Sequence, residues 1–135
     1  KGDVLAFGPI GAPGWFAPDL DFVDRNGLVT PSVARRDVVP GAGTAGHDRR
    51  GPHAWFLDGG TPAPTYLFAA CIEGSAGLDA SRRWIRQALA GPDEAPLFAR
   101  TVLRRHPITR GPASGCTLLL LERSGQDEAD RCWGD

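Results

Sequence analysis

The two longest apolar runs of this chain are short, and their length limits what it can fold into. The first covers residues 66–72 and the second covers residues 117–121. Each is far shorter than the roughly 20 residues that a helix needs to span a bilayer. Apolar runs of this length, bounded by turn residues, are typical of buried strands. A chain of 135 residues is also long enough to enclose one hydrophobic core.

Further segments have the patterns of strands and helices. Residues 2–8 and 20–24 resemble short strands, and Thr30 or Ser32 can cap a short helix through 33–36. Residues 78–89 have an apolar stripe that predicts a longer helix, whereas the spacing in 97–105 fits a strand or a helix equally well.

Strands alternating with short helices predict an α/β fold, a single compact domain with a mixed sheet of about four or five strands. The domain is expected to cover residues 1–123, and 124–135 to form a polar C-terminal tail. A stretch rich in glycine and proline at 37–65 predicts one long loop, which carries one helical turn at 54–57.

The three cysteines, Cys71, Cys116 and Cys132, are widely spaced and form no metal or thioredoxin-type pair. Cys71 and Cys116 lie in or beside the two apolar runs, which favours buried free thiols. A disulfide between neighbouring strands is the alternative.

The charge of the chain is nearly balanced, with a formal net charge of -1. This balance argues against nucleic acid as a partner. Lys1 is the only lysine, so the other basic residues are all arginine. Guanidinium groups suit phosphate or carboxylate recognition, although the codon usage of a GC-rich gene explains the bias more simply.

The best-organised polar cluster begins where the second predicted strand ends. Asp24 closes that strand, Asn26 and Gly27 form a turn signal, and Arg35 follows one helical segment later. His47 and Arg49 lie in the long loop downstream. Acids at strand ends beside such loops are typical of ligand sites in α/β proteins. In the structural alternative, Asp24 accepts N–H groups of its own turn and pairs with Arg35.

No other set of residues indicates catalysis or metal binding more strongly than the cluster around Asp24. The segment 74–77 lacks the GxSxG pattern of a nucleophile elbow. His47, His53 and Asp58 match no familiar zinc spacing. Two prolines in 8–14 remove donors that a dinucleotide loop needs. The sequence therefore predicts neither a catalytic centre nor a metal site.

Residues 11–35 resemble a segment of bacterial polyprenyl-phosphate-dependent membrane glycosyltransferases, such as the mycobacterial terminal arabinofuranosyltransferases. In that family a soluble domain carries a Gly-x-Pro-Gly-aromatic-aromatic stretch, an apolar strand ending in Asp, a Gly-Leu pair, a Pro and an Ala-Arg pair. A later Gly-His, followed by a Pro and an aromatic residue, is also similar. The matching positions here include Gly14, Trp15, Phe16, Asp24, Gly27, Leu28, Pro31, Arg35, His47 and Trp55. The resemblance covers about residues 2–57, under half of the chain.

The resemblance implies an extracytoplasmic domain that faces the periplasm or cell exterior and binds a cell-envelope glycan. The family's catalytic carboxylate lies in its membrane region, so no catalytic residue carries over and no cofactor is expected here. The parent enzyme would use a polyprenyl-phosphate sugar donor, and the partner of this domain would be the transmembrane region of the same polypeptide. Trp15, Phe16, Trp55 and Phe56 would offer sugar-stacking rings, with Asp24, Asn26 and Arg49 among the hydroxyl-binding groups. Packing of these aromatic rings in the core is the alternative. Gly14, Gly27, Leu28 and Pro31 would have structural roles.

Two other functions remain open. One is a stand-alone α/β enzyme that uses Asp24, Arg35 and His47, and the other is a protein-interaction module that docks through the long loop. The chain contains no methionine, which favours a fragment or a processed form.

Overall fold

The computed structural model describes residues 2–8, 19–26, 30–38, 52–58, 63–74 and 76–134. Its strands are β1 (Val4–Phe7), β2 (Asp21–Asp24), β3 (Tyr66–Glu73), β4 (Thr101–Pro107) and β5 (Cys116–Arg123). Its α-helices are α1 (Pro31–Ala34), α2 (Trp55–Asp58), α3 (Leu78–Ala88), α4 (Ala95–Phe98) and α5 (Gln126–Trp133), with a 3-10 turn at Pro92–Glu94.

The five strands belong to one sheet with the order β2-β1-β3-β5-β4. The sheet is mixed, since β1 pairs in parallel with β2 and β3 whereas β4 and β5 are antiparallel. The predicted α/β class, with a mixed sheet and short helices, is confirmed. The chain divides into two units, Lys1–Leu67 and Phe68–Asp135, and the boundary falls within β3.

In the unit Lys1–Leu67, the parallel strands supply part of a buried core. The register runs from Val4 opposite Asp21 to Phe7 opposite Asp24. Apolar residues of the strands and of the two short helices are buried here: Val4, Ala6, Val23, Val33, Phe56, Leu57 and Leu67. The helical turn predicted at 54–57 is confirmed, displaced by one residue. The part of the long loop at 39–51 and 59–62 lies outside the described residues.

In the unit Phe68–Asp135, alternate residues of β5 are buried, as an amphipathic strand requires. Thr117, Leu119 and Leu121 are almost completely buried. The undecided segment 97–105 contains both elements, because α4 ends at Phe98 and β4 begins at Thr101. The helix expected at 78–89 is observed as α3, which buries Ile85. Its N-cap residue is Gly77, whose carbonyl oxygen accepts the Ser81 hydroxyl at 2.9 Å.

Helix α5 occupies most of residues 124–135, for which the sequence predicts a polar tail. β4 ends the strand order, so one of its edges has no strand partner among the described residues. The Nε1–H of Trp133 donates to the Thr101 carbonyl oxygen at 2.7 Å, and the Leu103 N–H donates to the Cys132 sulfur at 3.3 Å. The helix thus satisfies backbone groups of the edge strand, which would otherwise be open to pairing with another chain.

Charged side chains also connect α5 to the two antiparallel strands. Arg104 of β4 forms an ion pair with Glu122 of β5 and a second with Glu128 of α5, the latter at 3.3 Å. The hydrogen bond with Glu122 raises the pKa of the Arg104 guanidinium. The pairs are largely exposed, so they contribute little to stability.

The expectation of a buried Cys71 is wrong. Cys71 is exposed and Cys116 is half-buried, and both are free thiols. Successive side chains of a strand point to opposite faces, so an apolar run does not bury every member. Desolvation, with a smaller contribution from the neighbouring Cys116 thiol, raises the pKa of Cys71. This shift disfavours the reactive thiolate.

In the part of the chain that the structure describes, no helix is long and apolar enough to cross a membrane.

Candidate functional site

The carboxyl ends of β1 and β2 lie side by side, which is the edge of a parallel sheet where ligand sites occur in α/β proteins. Phe7 is in register with Asp24, and the N–H of Arg25 donates to the Phe7 carbonyl oxygen at 3.0 Å. Gly8 follows β1 directly. A Cβ atom at Gly8 would lie 3.4 Å from Nδ2 of Asn26, so the Asn26 side chain lies close to the backbone that leaves β1.

Asp24 is completely buried at this edge, at 0 % exposure. Its N–H donates to Oγ1 of Thr30 at 2.8 Å, and its Oδ1 accepts the N–H of Asn26 at 2.8 Å. The second bond is an Asx-type contact, in which an Asp side chain satisfies the backbone of its own turn. This part of the structural alternative is confirmed, and it explains why an Asp ends the strand.

Thr30 is the N-cap residue of α1, but its hydroxyl makes no capping bond. Its carbonyl oxygen accepts the N–H groups of Val33 and Ala34, each at 3.0 Å, while its side chain is bonded to Asp24. Thr30 therefore joins the end of β2 to the start of α1. Pro31 occupies the first turn, where the missing N–H costs nothing.

Arg35 does not complete the expected pair with Asp24. Its side chain is exposed, and it forms no ion pair with any residue in the described ranges. The adjacent residue, Arg36, makes the more specific contact instead. Its guanidinium carbon lies 4.9 Å from the centroid of the Trp55 ring, within the range of a cation–π interaction.

Trp55, the aromatic partner of Arg36, is half-buried. Its ring makes an edge-on contact with Phe56, with centroids 4.7 Å apart and planes at 80°. Phe56 is completely buried, so the expectation that its ring stacks on a sugar is wrong, and the ring instead anchors the Trp55 side chain to the core. No local pattern of the sequence pairs Arg36 with Trp55, because Arg36 lies two residues after the end of α1 at Ala34.

Seven of the predicted site residues lie outside the described residues, namely Gly14, Trp15, Phe16, Gly27, Leu28, His47 and Arg49. His53, considered as a metal ligand, is buried, and its carbonyl oxygen accepts the Phe56 N–H at 3.1 Å. Within the described ranges, no three His, Cys, Asp or Glu side chains are grouped so that they could hold a metal ion. The structure thus places Asp24, Asn26 and Thr30 together, and Arg36 with Trp55.

Comparisons with known proteins return no match, whether with protein-family models, with curated proteins or with solved structures.

Proposed function

We propose that this chain is an extracytoplasmic domain of a membrane glycosyltransferase of the arabinosyl- or mannosyltransferase type. In this role it helps to bind or position a cell-envelope polysaccharide acceptor and has no catalytic centre of its own. The parent enzyme takes its sugar from a polyprenyl-phosphate donor, and the domain acts beside the transmembrane region of the same polypeptide. The sequence resemblance over residues 2–57 motivates the proposal.

One structural observation supports this glycan-binding role. The ring of Trp55 is half-exposed, and the guanidinium of Arg36 lies beside it. A flat indole ring suits the apolar C–H face of a sugar, and a few placed polar groups then fix its orientation. The contact with buried Phe56 holds the ring in place. A pre-positioned ring loses less side-chain entropy when a ligand binds.

Burial of Asp24 favours this proposal over a stand-alone enzyme that uses Asp24, Arg35 and His47. A carboxylate that acts on a substrate must come within hydrogen-bond reach of it. Asp24 is fully buried, and its Oδ1 already accepts the N–H of Asn26. Arg35 is exposed to solvent and forms no ion pair with Asp24.

Titration with arabinan and mannan oligosaccharides, followed by tryptophan fluorescence and by calorimetry, tests the proposal. We expect saturable binding that Trp55→Leu weakens about tenfold, equivalent to about 1.4 kcal/mol. Arg36→Gln is expected to weaken binding less. Trp84→Leu is the matched control, since Trp84 is 37 % exposed and lies in the other unit.

Circular dichroism establishes that each variant is folded before binding is compared. Equal glycan affinity of the Trp55 and Trp84 variants would show that Trp55 does not contribute to the binding site. No heat and no fluorescence change with either glycan would reject the proposed function.

A further inference from the structure

Helix α3 carries a stripe of charged residues in the unit Phe68–Asp135. Asp79, Arg82, Arg83 and Arg86 are spaced three, four and seven residues from the first, so they share one face of the helix. This face opens onto a pocket of about 230 Å³. The pocket is lined by Asp79, Arg82, Arg83, Arg86, Trp133 and Gly134.

Arg86 is held in position by the end of α5. Its Nη2 donates to the Trp133 carbonyl oxygen at 2.6 Å, and its guanidinium carbon lies 6.0 Å from the centroid of the Trp133 ring. Trp133 is itself fixed, because it is only 6 % exposed and its Nε1–H is bonded to Thr101. A side chain fixed in this way is pre-organised for a ligand.

Arg82 and Arg83 retain unused donors at the same pocket. The contact of Arg82 Nη1 with Asp79 Oδ1 is long, at 3.4 Å, and the Nε of Arg82 is buried without a hydrogen-bond partner. Arg83 is exposed and has no hydrogen-bond or ion-pair partner among the described residues. The buried Nε of Arg82 is costly without a partner, so an acceptor that reaches it from the pocket would relieve this cost.

The charges around the pocket are unbalanced. Among the described residues that line it, three are arginines and one, Asp79, carries a carboxylate, an excess of two positive charges. A neutral or cationic ligand would leave this repulsion in place. A compact dianion would neutralise it and offer several acceptor oxygens to the forked donors.

We propose that the pocket formed by Arg82, Arg83 and Arg86 binds a phosphate group, either inorganic phosphate or a phosphate monoester. Arg86 supplies the pre-positioned guanidinium, and Arg82 and Arg83 supply the donors that lack acceptors. The site lies in the other unit from Trp55. It therefore stands whether or not the chain binds glycan.

Calorimetry and thermal unfolding with inorganic phosphate test the site, with sodium chloride at equal ionic strength as the reference. We expect phosphate at tenfold its dissociation constant to raise Tm by about 4 °C, because a ligand that binds only the folded state stabilises it. Arg83→Gln and the double variant R82Q/R83Q are expected to weaken phosphate binding about tenfold or more. Arg110→Gln is the matched control, an exposed arginine outside the pocket.

A parallel titration with methyl phosphate distinguishes the two sources of the group. Tighter binding of methyl phosphate identifies a monoester ligand, whereas tighter binding of inorganic phosphate identifies the free ion, and either result supports the site. An unchanged affinity in R82Q/R83Q, or equal stabilisation by chloride, would overturn the proposal. Neither result depends on arabinan or mannan binding.

Discussion

The hydroxyl of Thr30 accepts the buried N–H of Asp24 at 2.8 Å. Removal of this hydrogen bond tests whether the polar residues at the end of β2 stabilise the fold. Thr30→Val keeps the shape of the side chain but leaves that N–H without its acceptor. We expect the free energy of unfolding to fall by about 1–3 kcal/mol, the cost of an unsatisfied buried donor. Urea denaturation measures the change. Thr30→Ser retains the hydroxyl and should cost clearly less; equal losses for Val and Ser would show that the hydrogen bond contributes nothing.

Single residues also show how far the sequence predicts the site. The Asp24 turn was predictable because an Asp two residues before an Asn N–H has a local acceptor role that needs no tertiary information. The exposure of Cys71 was not, since it depends on which face of β3 is covered. The contact of Arg36 with Trp55 joins a residue just after α1 to the first residue of α2, and only the folded chain brings them together.

Among the elements, α5 makes the most specific connection to the sheet through Trp133. Trp133→Phe preserves an aromatic ring against Phe98, whose centroid lies 4.9 Å away. It removes the Nε1–H donor to the Thr101 carbonyl oxygen. We expect a loss of about 1–2 kcal/mol in the free energy of unfolding, from the lost hydrogen bond and the carbonyl oxygen left without its donor.

Trp84→Phe is the control, at a more exposed ring, and should change the free energy of unfolding by about 0.5 kcal/mol or less. A similar loss in both variants would contradict a specific role for Trp133.

The strands and α3 were predictable because apolar runs and a helical stripe are local patterns. Residues 124–135 were harder, since only Ala129 and Trp133 of α5 are buried and the rest of the helix is polar. Its stability comes from packing against β4, as for most short helices. The segment 97–105 was ambiguous because it joins the end of a helical turn to the start of a strand.

For the whole molecule, the α/β class follows from the order of local patterns, but the sheet order does not. The placement of β5 between β3 and β4 requires pairing between residues more than forty positions apart, such as the Thr117 hydroxyl that donates to the Gly74 carbonyl oxygen at 2.8 Å. No local periodicity encodes which strands become neighbours. The sheet is mixed because β4 and β5 are antiparallel neighbours, whereas β1 pairs in parallel with β2 and β3.

The near-balance of charge makes a prediction about the chain as a whole. Fifteen basic and sixteen acidic side chains, with three histidines, give a pI of about 6.3. Proteins associate most readily where the net charge is close to zero. We therefore expect light scattering of the chain to be greatest near pH 6.3 and to fall as the pH rises.

Arg110→Glu, at an exposed position, changes the net charge from -1 to -3 and should move the scattering maximum to lower pH. An unshifted maximum would instead assign association to exposed apolar side chains, of which Val38, Leu78 and Trp84 are the largest among the described residues.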